Sequence, residues 1–208
     1  MIRQLFTGIL RDIGGHDSDE AELSRLNRLY SARSGISQAI VMLRSRDELF
    51  RRICEVLVEI GGFSLVWIGW HDPETESIVP LAQSGDRNGY LARIKVFADD
   101  RPEGRGPTGT AFREGHPCIT EDMLNDPGLL PWHGEIAQAE FRASAGLPIR
   151  VGGAVKGVLT VYAAEPRFFF DKERMLLTEV AADISFALDA LALEDERRAA
   201  EAIALREK

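Results

Sequence analysis

The sequence has few of the residues that mark several large classes of protein. It contains two cysteines, Cys54 and Cys118, in 208 residues, which is too few for a disulfide framework and includes no C-x-x-C pair. No apolar run approaches the ~20 residues that span a bilayer, so we expect no membrane insertion. Acidic residues number 33 against 25 basic ones, which argues against nucleic acid as a partner. A reducing, cytoplasmic setting is expected for such a chain.

Apolar periodicity predicts helices at both ends of the chain and strands between them. A leucine-rich stripe predicts a long helix over 22–43, and Ser45 with Glu48 forms a capping-box pattern for a second helix that ends at Gly61-Gly62. Further helices are predicted at 109–114, from about Trp132 and from Asp171. Runs of β-branched and aromatic residues predict strands at 63–71, 77–83, 90–97, 117–120, 143–151 and 154–163.

The order of these elements predicts an α+β fold. Strands joined by hairpins are expected to form one antiparallel sheet of about six strands, with helices segregated to its faces. Gly152-Gly153 is a two-residue hairpin signal between two such strands. The long terminal helices extend beyond this core and have only each other or a second chain to pack on, which predicts a dimer bundle.

The stretch from Gly104 to Gly109 reads G-R-G-P-T-G and satisfies G-x-G-x-x-G. A dinucleotide loop needs a buried strand directly before the glycines and a helix long enough to cross back to a parallel strand. Here a polar loop precedes the glycines, and His116-Pro117 follows after less than two helical turns. We therefore expect the glycines to be architectural, with Thr108 or Thr110 capping the short helix and Gly115 ending it.

A larger pattern surrounds that loop. G-T-A-F-R-E-G-H-P at 109–117 is followed by an acidic stretch, by S-A-G-L-P-I at 144–149 and by G-G-A-V-K-G-V-L-T-V-Y at 152–162. Together with the helix and strands after Ser45 and the closing helix up to Leu193, this pattern resembles a GAF domain of a bacterial signalling protein.

The resemblance implies a sensory module that binds a small molecule between an antiparallel sheet and its covering loops. It also implies a homodimer whose terminal helices pass the signal to an output, such as a histidine kinase or a GGDEF or EAL domain of cyclic-di-GMP signalling. No such output motif occurs in the sequence, so the output is expected outside this chain. The predicted division is a helical extension at 1–44, the GAF domain at 45–193 and a signalling-helix tail at 194–208.

The resemblance places the ligand beneath the segment from Asp122 to Ser144. Aromatic side chains with a few convergent polar groups are typical of small-molecule pockets. The candidate ligand-binding residues are Trp70, Phe112, Cys118, Trp132, His133, Ile136, Phe141, Ser144 and Tyr162. The alternative for Trp132 and Phe141 is that they simply close the core. Side chains alternate along a strand, which leaves open whether Trp67 or Trp70 faces the pocket.

His133 and Cys118 are the candidates for holding a cofactor. By resemblance, His133 stands near the histidine that contacts the bilin in phytochrome-like GAF domains, but the bonding cysteine is missing, so a covalent bilin is not expected. The alternatives for His133 are a haem ligand and a solvated residue; those for Cys118 are a redox or haem site and a small buried residue. No metal site is expected, because His116, Cys118 and His133 give three ligands at best. The cofactor is left open.

Two rivals stand beside the sensor. One is a ligand-free GAF module that fills its pocket and serves as a dimerisation spacer, and the other is a haem- or thiol-based sensor or a small reductase using Cys118. GAF enzymes that reduce methionine sulfoxide use several cysteines, and here Cys118 lacks a resolving partner. Since no nucleophile with an activating base is visible either, the sequence predicts that the chain is not an enzyme.

Overall fold

The computed structural model describes residues 2–139 and 141–206, with side chains from 20 to 139 and from 141 to 204. The helices are α1 (Ile2–Met42), α2 (Arg46–Glu59), α3 (Tyr90–Arg93), α4 (Pro107–Glu114), α5 (His133–Ile136) and α6 (Asp171–Arg206). The strands are β1 (Leu65–Asp72), β2 (Ser77–Ser84), β3 (Cys118–Thr120), β4 (Ala143–Val151) and β5 (Ala154–Ala163). Short 3₁₀ turns cover Pro102–Gly104 and Pro127–Trp132.

The strands form one antiparallel sheet in the order β2-β1-β5-β4-β3, which confirms the α+β fold. The β4–β5 hairpin has the predicted bounds. Its turn residues Gly152 and Gly153 have φ of 58° and 80°, and a two-residue turn of this kind needs positive φ at both positions. β5 then pairs with β1 from Leu65↔Tyr162 to Trp70↔Gly157, so β1, β5 and β4 each have a partner strand on both sides.

The sheet has five strands in the described residues rather than about six, because the strand predicted at 90–97 does not form. The carboxylate of Asp86 accepts the backbone N–H groups of Tyr90 at 2.7 Å and Leu91 at 3.1 Å. These bonds stabilise the single turn of α3 at its N-terminal end. Local capping therefore prevails over the β propensity of the segment.

Only the end of that segment reaches the sheet. Ile78 of β2 donates its N–H to the carbonyl of Val96 at 2.9 Å, and Ser77 forms an isolated bridge with Phe97. Backbone groups alternate between the two sides of a strand, so Pro80 is the next residue of β2 that faces this edge. Proline has no N–H to donate, and the pairing stops there.

Helices α1, α2 and α6 cover one face of the sheet and form the larger hydrophobic core with it. Between residues 20 and 204, where side chains are described, three sets of ion pairs join α1 to α6: Glu22 with Lys172, Arg25 with Glu173, and Arg33 with both Glu179 and Asp183. Because the residue numbers rise together along both helices, α1 and α6 run parallel.

The terminal helices differ from the prediction in length. α1 begins well before Glu22 and continues without a break through Gly35 to Met42. A side chain at Gly35 would lie 3.4 Å from Val56, so this glycine lets α1 lie close to α2. α6 runs unbroken past Leu193, and the division of the chain at that residue stays a prediction.

The start of α2 also differs in detail. Ser45 takes the N-cap position, but its side chain makes no capping hydrogen bond, so the predicted capping box is wrong. The end of α2 agrees with the prediction, since Gly62 follows it with φ of 80°. No helix among the described residues is both long and apolar enough to cross a bilayer.

Candidate ligand site beneath the segment between β3 and β4

The face of the sheet opposite the helices carries the candidate site. Trp67 and Trp70 point to opposite sides of β1, as alternation requires. Trp70 packs on Phe50 of α2, with ring centroids 5.7 Å apart, whereas Trp67 is buried on the other face. The prediction that Trp70 lines the site is therefore wrong, and Trp67 takes that place.

A second apolar cluster fills the space between this face and the segment 121–142, which joins β3 to β4 and which we call the cover. Its buried members are Leu65, Trp67, Ile78, Tyr90, Ala98, Met123, Leu129, Trp132, Ile136, Phe141 and Tyr162. The ring of Tyr162 lies 4.6 Å from that of Phe141 and 5.9 Å from that of Tyr90. The structure thus brings together four of the predicted residues: Trp132, Ile136, Phe141 and Tyr162.

Polar side chains of the sheet and of α4 border this apolar cluster. The hydroxyls of Thr108 and Thr160 lie 3.0 Å apart, and the indole N–H of Trp67 donates to the Tyr162 hydroxyl at 3.4 Å. Ser144 is fully buried, and its Oγ has no partner among the described residues. An unsatisfied buried hydroxyl costs about 1–3 kcal/mol, so Ser144 marks a place where a water or a ligand group would bind favourably.

A small cavity of about 20 Å³ lies against Ser144, Thr108 and Tyr162, with Trp132 and Ile136 among its other walls. A space of about 10–15 Å³ is enough for one water molecule. The cavity therefore admits one water-sized molecule in this conformation. A metabolite or a haem does not fit beneath the cover unless the cover moves away from the sheet.

Two contacts of Trp132 hold the cover against the rest of the protein, and one ion pair joins the two ends of the cover. The indole N–H of Trp132 donates to the carbonyl of Lys95 at 3.0 Å. Arg142 pairs with Asp122 across 2.9 Å, and this guanidinium holds the pKa of Asp122 below its usual range. The ring of Trp132 also lies against Gly106, where an added Cβ would come within 3.0 Å of it.

The glycines of the G-x-G-x-x-G stretch are needed for close backbone packing. A Cβ at Gly104 would lie 1.9 Å from the carbonyl oxygen of Asp99, and one at Gly109 would lie 2.3 Å from that of Gly104. The guanidinium of Arg113 donates to the carbonyls of Ala98, Asp99 and Gly104 in the same loop. The stretch is a compact support for α4, as the sequence predicted.

The predicted caps of α4 are half right. Gly115 ends the helix with φ of 70°. At the other end Gly106 occupies the N-cap without a side-chain bond, because the Thr108 hydroxyl pairs with Thr160 instead and the Thr110 hydroxyl donates to the carbonyl of Arg105.

A second, larger cavity of about 220 Å³ lies beside the first. Phe63, Leu65, the loop 85–88, Tyr90 and Phe141 line it. Tyr90 lines both cavities and so lies between the smaller one and the larger one. Burial raises the pKa of Tyr90 and raises that of Tyr162 to about 12, so both phenols are neutral hydrogen-bonding groups at physiological pH.

The other predicted residues lie around this centre rather than in it. His133 sits in the cover, where its Nε2 lies 3.1 Å from the carbonyl of Asp126; since a carbonyl only accepts, Nε2–H is the donor. Phe112 is half-buried and packs on the ring of His71 at 4.5 Å. Cys118 is half-buried in β3, and burial raises its pKa, which disfavours the reactive thiolate.

The described residues contain no group of three or more His, Cys, Asp or Glu side chains placed to hold a metal ion. His133 is engaged by a backbone carbonyl, and the cavity beside Ser144 admits only a water-sized molecule. The residues present therefore do not fit haem in this conformation.

Several residues of the site were not predicted from the sequence. Tyr90 was assigned to a strand, and Thr108 to a helix cap. Thr160 and Met123 carried no signal that separates a pocket residue from an ordinary core residue. The alternation of β5 did place Thr160 on the same face as Tyr162, and that pattern was the one usable indication.

Solved structures with the same fold serve different functions. The chain matches a free methionine-R-sulfoxide reductase from Neisseria meningitidis in complex with its substrate, with a TM-score of 0.67 and 18% identity, over 80% of this chain and 91% of that one. The GAF domain of a phosphoenolpyruvate-protein phosphotransferase from Coxiella burnetii matches with a TM-score of 0.66 and 16% identity, over 82% and 98%. Residues 122 to 287 of a methyl-accepting chemotaxis protein match with a TM-score of 0.60 and 22% identity, over 76% and 97%. No protein of curated function matches the chain.

The likeness to reductase structures corrects one prediction. The sequence predicted that the chain is not an enzyme, but a free methionine-R-sulfoxide reductase is among the structures that share its fold. At these identities the likeness shows the fold alone. The absence of enzymatic activity therefore cannot be inferred from the fold or from the small number of cysteines.

The family itself is shown by a match along the sequence. The family model described as a GAF domain matches residues 44–189, which is more than half of the chain. This range contains the whole five-stranded sheet, the cover and the first half of α6. The chain belongs to the GAF domain family.

Proposed function

We propose that this chain is a sensory module that binds a small molecule beneath the cover and signals through its terminal helices to an output domain. GAF domains occur in signalling proteins, among them the chemotaxis protein that shares this fold. We place the module in the cytoplasm of a bacterial cell, as a homodimer.

The single observation that carries the proposal is the unpartnered hydroxyl of Ser144. It lies at the centre of the face that the cover protects, beside the Thr108–Thr160 pair and beneath Trp132. A protein selected for stability alone gains by replacing such a group with an apolar one. Its presence is typical of a binding site, where the ligand supplies the missing hydrogen bond.

The small size of the cavity beside Ser144 implies how binding proceeds. A ligand larger than water has to displace the cover from the sheet, so the ligand selects an open arrangement over the closed one described here. The larger cavity offers the route of entry, since Tyr90 is a wall that it shares with the smaller one. The class of ligand follows from the lining: a small, mostly apolar molecule with one or two hydrogen-bonding groups.

The homodimer is proposed from exposed apolar side chains on the terminal helices. Phe186 and Leu193 lie seven residues apart on α6 and are 76% and 68% exposed. Leu23 and Tyr30 repeat that spacing on α1 and are also exposed. A seven-residue repeat keeps such residues on one side of a helix, where they can pack against a second chain.

The proposal is tested by replacing Ser144→Ala and measuring both stability and binding. Thermal denaturation is recorded alone and with a panel of nucleobases, amino acids and short carboxylic acids. Without ligand, the variant should melt at a higher temperature, because an unsatisfied hydroxyl has been removed. With a panel compound that stabilises the wild type, the variant should show a smaller shift, since one hydrogen bond to the compound is lost, which corresponds to roughly 2–10-fold in affinity.

Ser185→Ala is the matched control. The Ser185 hydroxyl donates to the carbonyl of Ala181 and accepts the N–H of Arg150 on the helical side of the sheet. Its loss should lower the melting temperature and leave compound binding unchanged. If no compound stabilises the wild type, or if Ser144→Ala leaves the shift of a stabilising compound unchanged, the sensory proposal is wrong.

A second candidate function, the ligand-free spacer, is favoured by the small size of the cavity beside Ser144. Met123, Leu129, Trp132 and Ile136 fill most of the space beneath the cover. A spacer predicts that Ser144→Ala is stabilising and that no panel compound binds. The same experiment therefore separates the two, and an assay of methionine sulfoxide reduction on the same samples tests the activity of the reductases that share the fold.

A further inference from the structure

We infer that Arg25, Glu173, Phe168 and Phe170 form a latch that fastens α1 to the start of α6, and that the cover controls this latch through Glu121. The inference rests on the proposed function for what moves the cover. The latch itself is independent of any ligand.

The latch is built around one guanidinium. Arg25 Nε lies 2.7 Å from a carboxylate oxygen of Glu173. The same guanidinium lies 5.2 Å from the ring centroids of both Phe168 and Phe170, a distance at which a cation is attracted to an aromatic face. One side chain of α1 thus contacts both the first turn of α6 and the segment directly before it.

The burial of the pair makes the latch depend on Arg25. The Glu173 side chain is 1% exposed, and its second carboxylate oxygen has no partner among the described residues. If Arg25 moves away, the buried Glu173 carboxylate loses both its counter-ion and its hydrogen bond from α1. A buried charge without a partner is strongly unfavourable, so the start of α6 has to rearrange. The latch therefore has two states, fastened or released, rather than a graded series.

The cover reaches the latch through a single residue. The backbone carbonyl of Glu121 accepts the N–H of Arg167 at 2.7 Å, and the Glu121 carboxylate pairs with Arg174 at 2.7 Å. Arg174 in turn donates from Nε to the carbonyl of Phe169 at 2.7 Å. The three residues of this network enclose the aromatic segment on which Arg25 lies.

Backbone strain lies at the same place. Arg167 has φ of 56°, a left-handed conformation that a residue with a side chain adopts only when its surroundings enforce it. The bond from its N–H to Glu121 is one such constraint. Displacing Glu121 would relax this strain, which favours rearrangement of the aromatic segment.

The connection from Glu121 to the ligand site is short. Asp122 pairs with Arg142 at 2.9 Å, and the next residue, Met123, lies in the cluster beneath the cover and bonds from its N–H to the Arg142 carbonyl at 2.7 Å. A ligand that lifts Met123 therefore pulls on Glu121 two residues away. Release of Arg25 would then free the part of α1 that precedes Leu26, because Leu26 is the first described residue of α1 that packs in the core.

The experiment measures distances between spin labels in the full-length chain. Ser24→Cys on α1 and Thr178→Cys on α6, both exposed, carry the labels in a Cys118→Ser background, and labelled chains are diluted with unlabelled ones to isolate distances within a chain. The fastened latch should give one narrow distribution. Arg25→Met should add a longer and broader population, as should Glu121→Gln to a smaller extent.

Glu201→Gln is the matched control, since it removes an exposed ion pair of 2.8 Å with Arg197 at the far end of α6. It should leave the narrow distribution unchanged. A narrow distribution in a folded Arg25→Met variant overturns the latch. If Arg25→Met broadens the distribution but Glu121→Gln does not, the control of the latch by the cover is overturned. None of these outcomes needs a ligand, so failure of the inference is distinguishable from failure of the proposed function.

Discussion

At the scale of single residues, the polar groups around the second apolar cluster decide what the site can do. The hydroxyls of Thr108 and Thr160 bond to each other, and that of Tyr162 accepts the indole N–H of Trp67. The hydroxyl of Ser144 has no partner among the described residues. The sequence placed Ser144 and Tyr162 in the site by resemblance. It could not show which of them was satisfied, because the indole that bonds to Tyr162 lies 95 residues away along the chain.

The burial of Tyr162 predicts a pH dependence of stability. Its pKa in the folded state is about 12, against ~10 in an unfolded chain. The folded protein therefore holds a proton that the unfolded chain loses between these values, so stability is full below about pH 10 and falls as the pH rises toward 12. Across this pH window, Tyr162 should lower the free energy of unfolding by roughly 3 kcal/mol at most. Urea denaturation measures this loss.

Tyr162→Phe should flatten that part of the profile. At pH 8 it should cost about 1 kcal/mol, because the Trp67 indole loses its acceptor. Tyr30→Phe, at an exposed position on α1, is the control and should keep the alkaline slope of the wild type. An unchanged slope in Tyr162→Phe would show that this phenol does not titrate with unfolding.

At the scale of elements, the sequence predicted those that local signals determine. The β4–β5 hairpin follows from two glycines between alternating residues, and α4 ends at Gly115 as expected. The strand predicted at 90–97 failed because its formation depends on a neighbour: Asp86 caps a helical turn and Pro80 blocks the edge of β2. Neither effect is visible within the segment itself.

The junction between α4 and the cover depends on Gly106. An added methyl group there would meet the Trp132 ring at 3.0 Å, so Gly106→Ala should push the cover outward and destabilise the protein by roughly 1–3 kcal/mol. Trp132 should become more exposed to solvent, which fluorescence quenching measures. Chemical denaturation measures the loss of stability.

Gly134→Ala lies in the same cover and provides the comparison. Nothing lies within 4 Å of its added Cβ, and alanine favours helix over glycine, so this variant should be neutral or up to about 1 kcal/mol more stable. Equal effects of the two substitutions would mean that the cover is not held by the Gly106–Trp132 contact.

At the scale of the whole molecule, two parallel helices run along one side of a sheet whose other side holds the candidate site. Ion pairs such as Arg25–Glu173 join residues 148 positions apart, so no local pattern announces them. The sequence predicted that the terminal helices pack against a second chain. The exposed apolar side chains of α1 and α6 support such a dimer, which stays a prediction.

Dimerisation is tested by Phe186→Glu. A charge at this exposed position should break a helix-mediated dimer without disturbing the core, and light scattering coupled to size exclusion should report the monomer mass. Val79→Glu, at an exposed apolar position on β2, should leave the mass of the assembly unchanged. A dimer that survives Phe186→Glu would place the interface elsewhere.

The most direct test of the central claim uses the three tryptophans as reporters of place. Trp67 lies beneath the cover, Trp132 lies in it, and Trp70 lies on the helical face. The indole N–H resonances are recorded by NMR while the panel of small metabolites is added. We predict that a binding compound shifts the signals of Trp67 and Trp132 and leaves that of Trp70 in place. If every compound leaves Trp67 and Trp132 unmoved, or moves Trp70 alone, the ligand site is not beneath the cover and the account is contradicted.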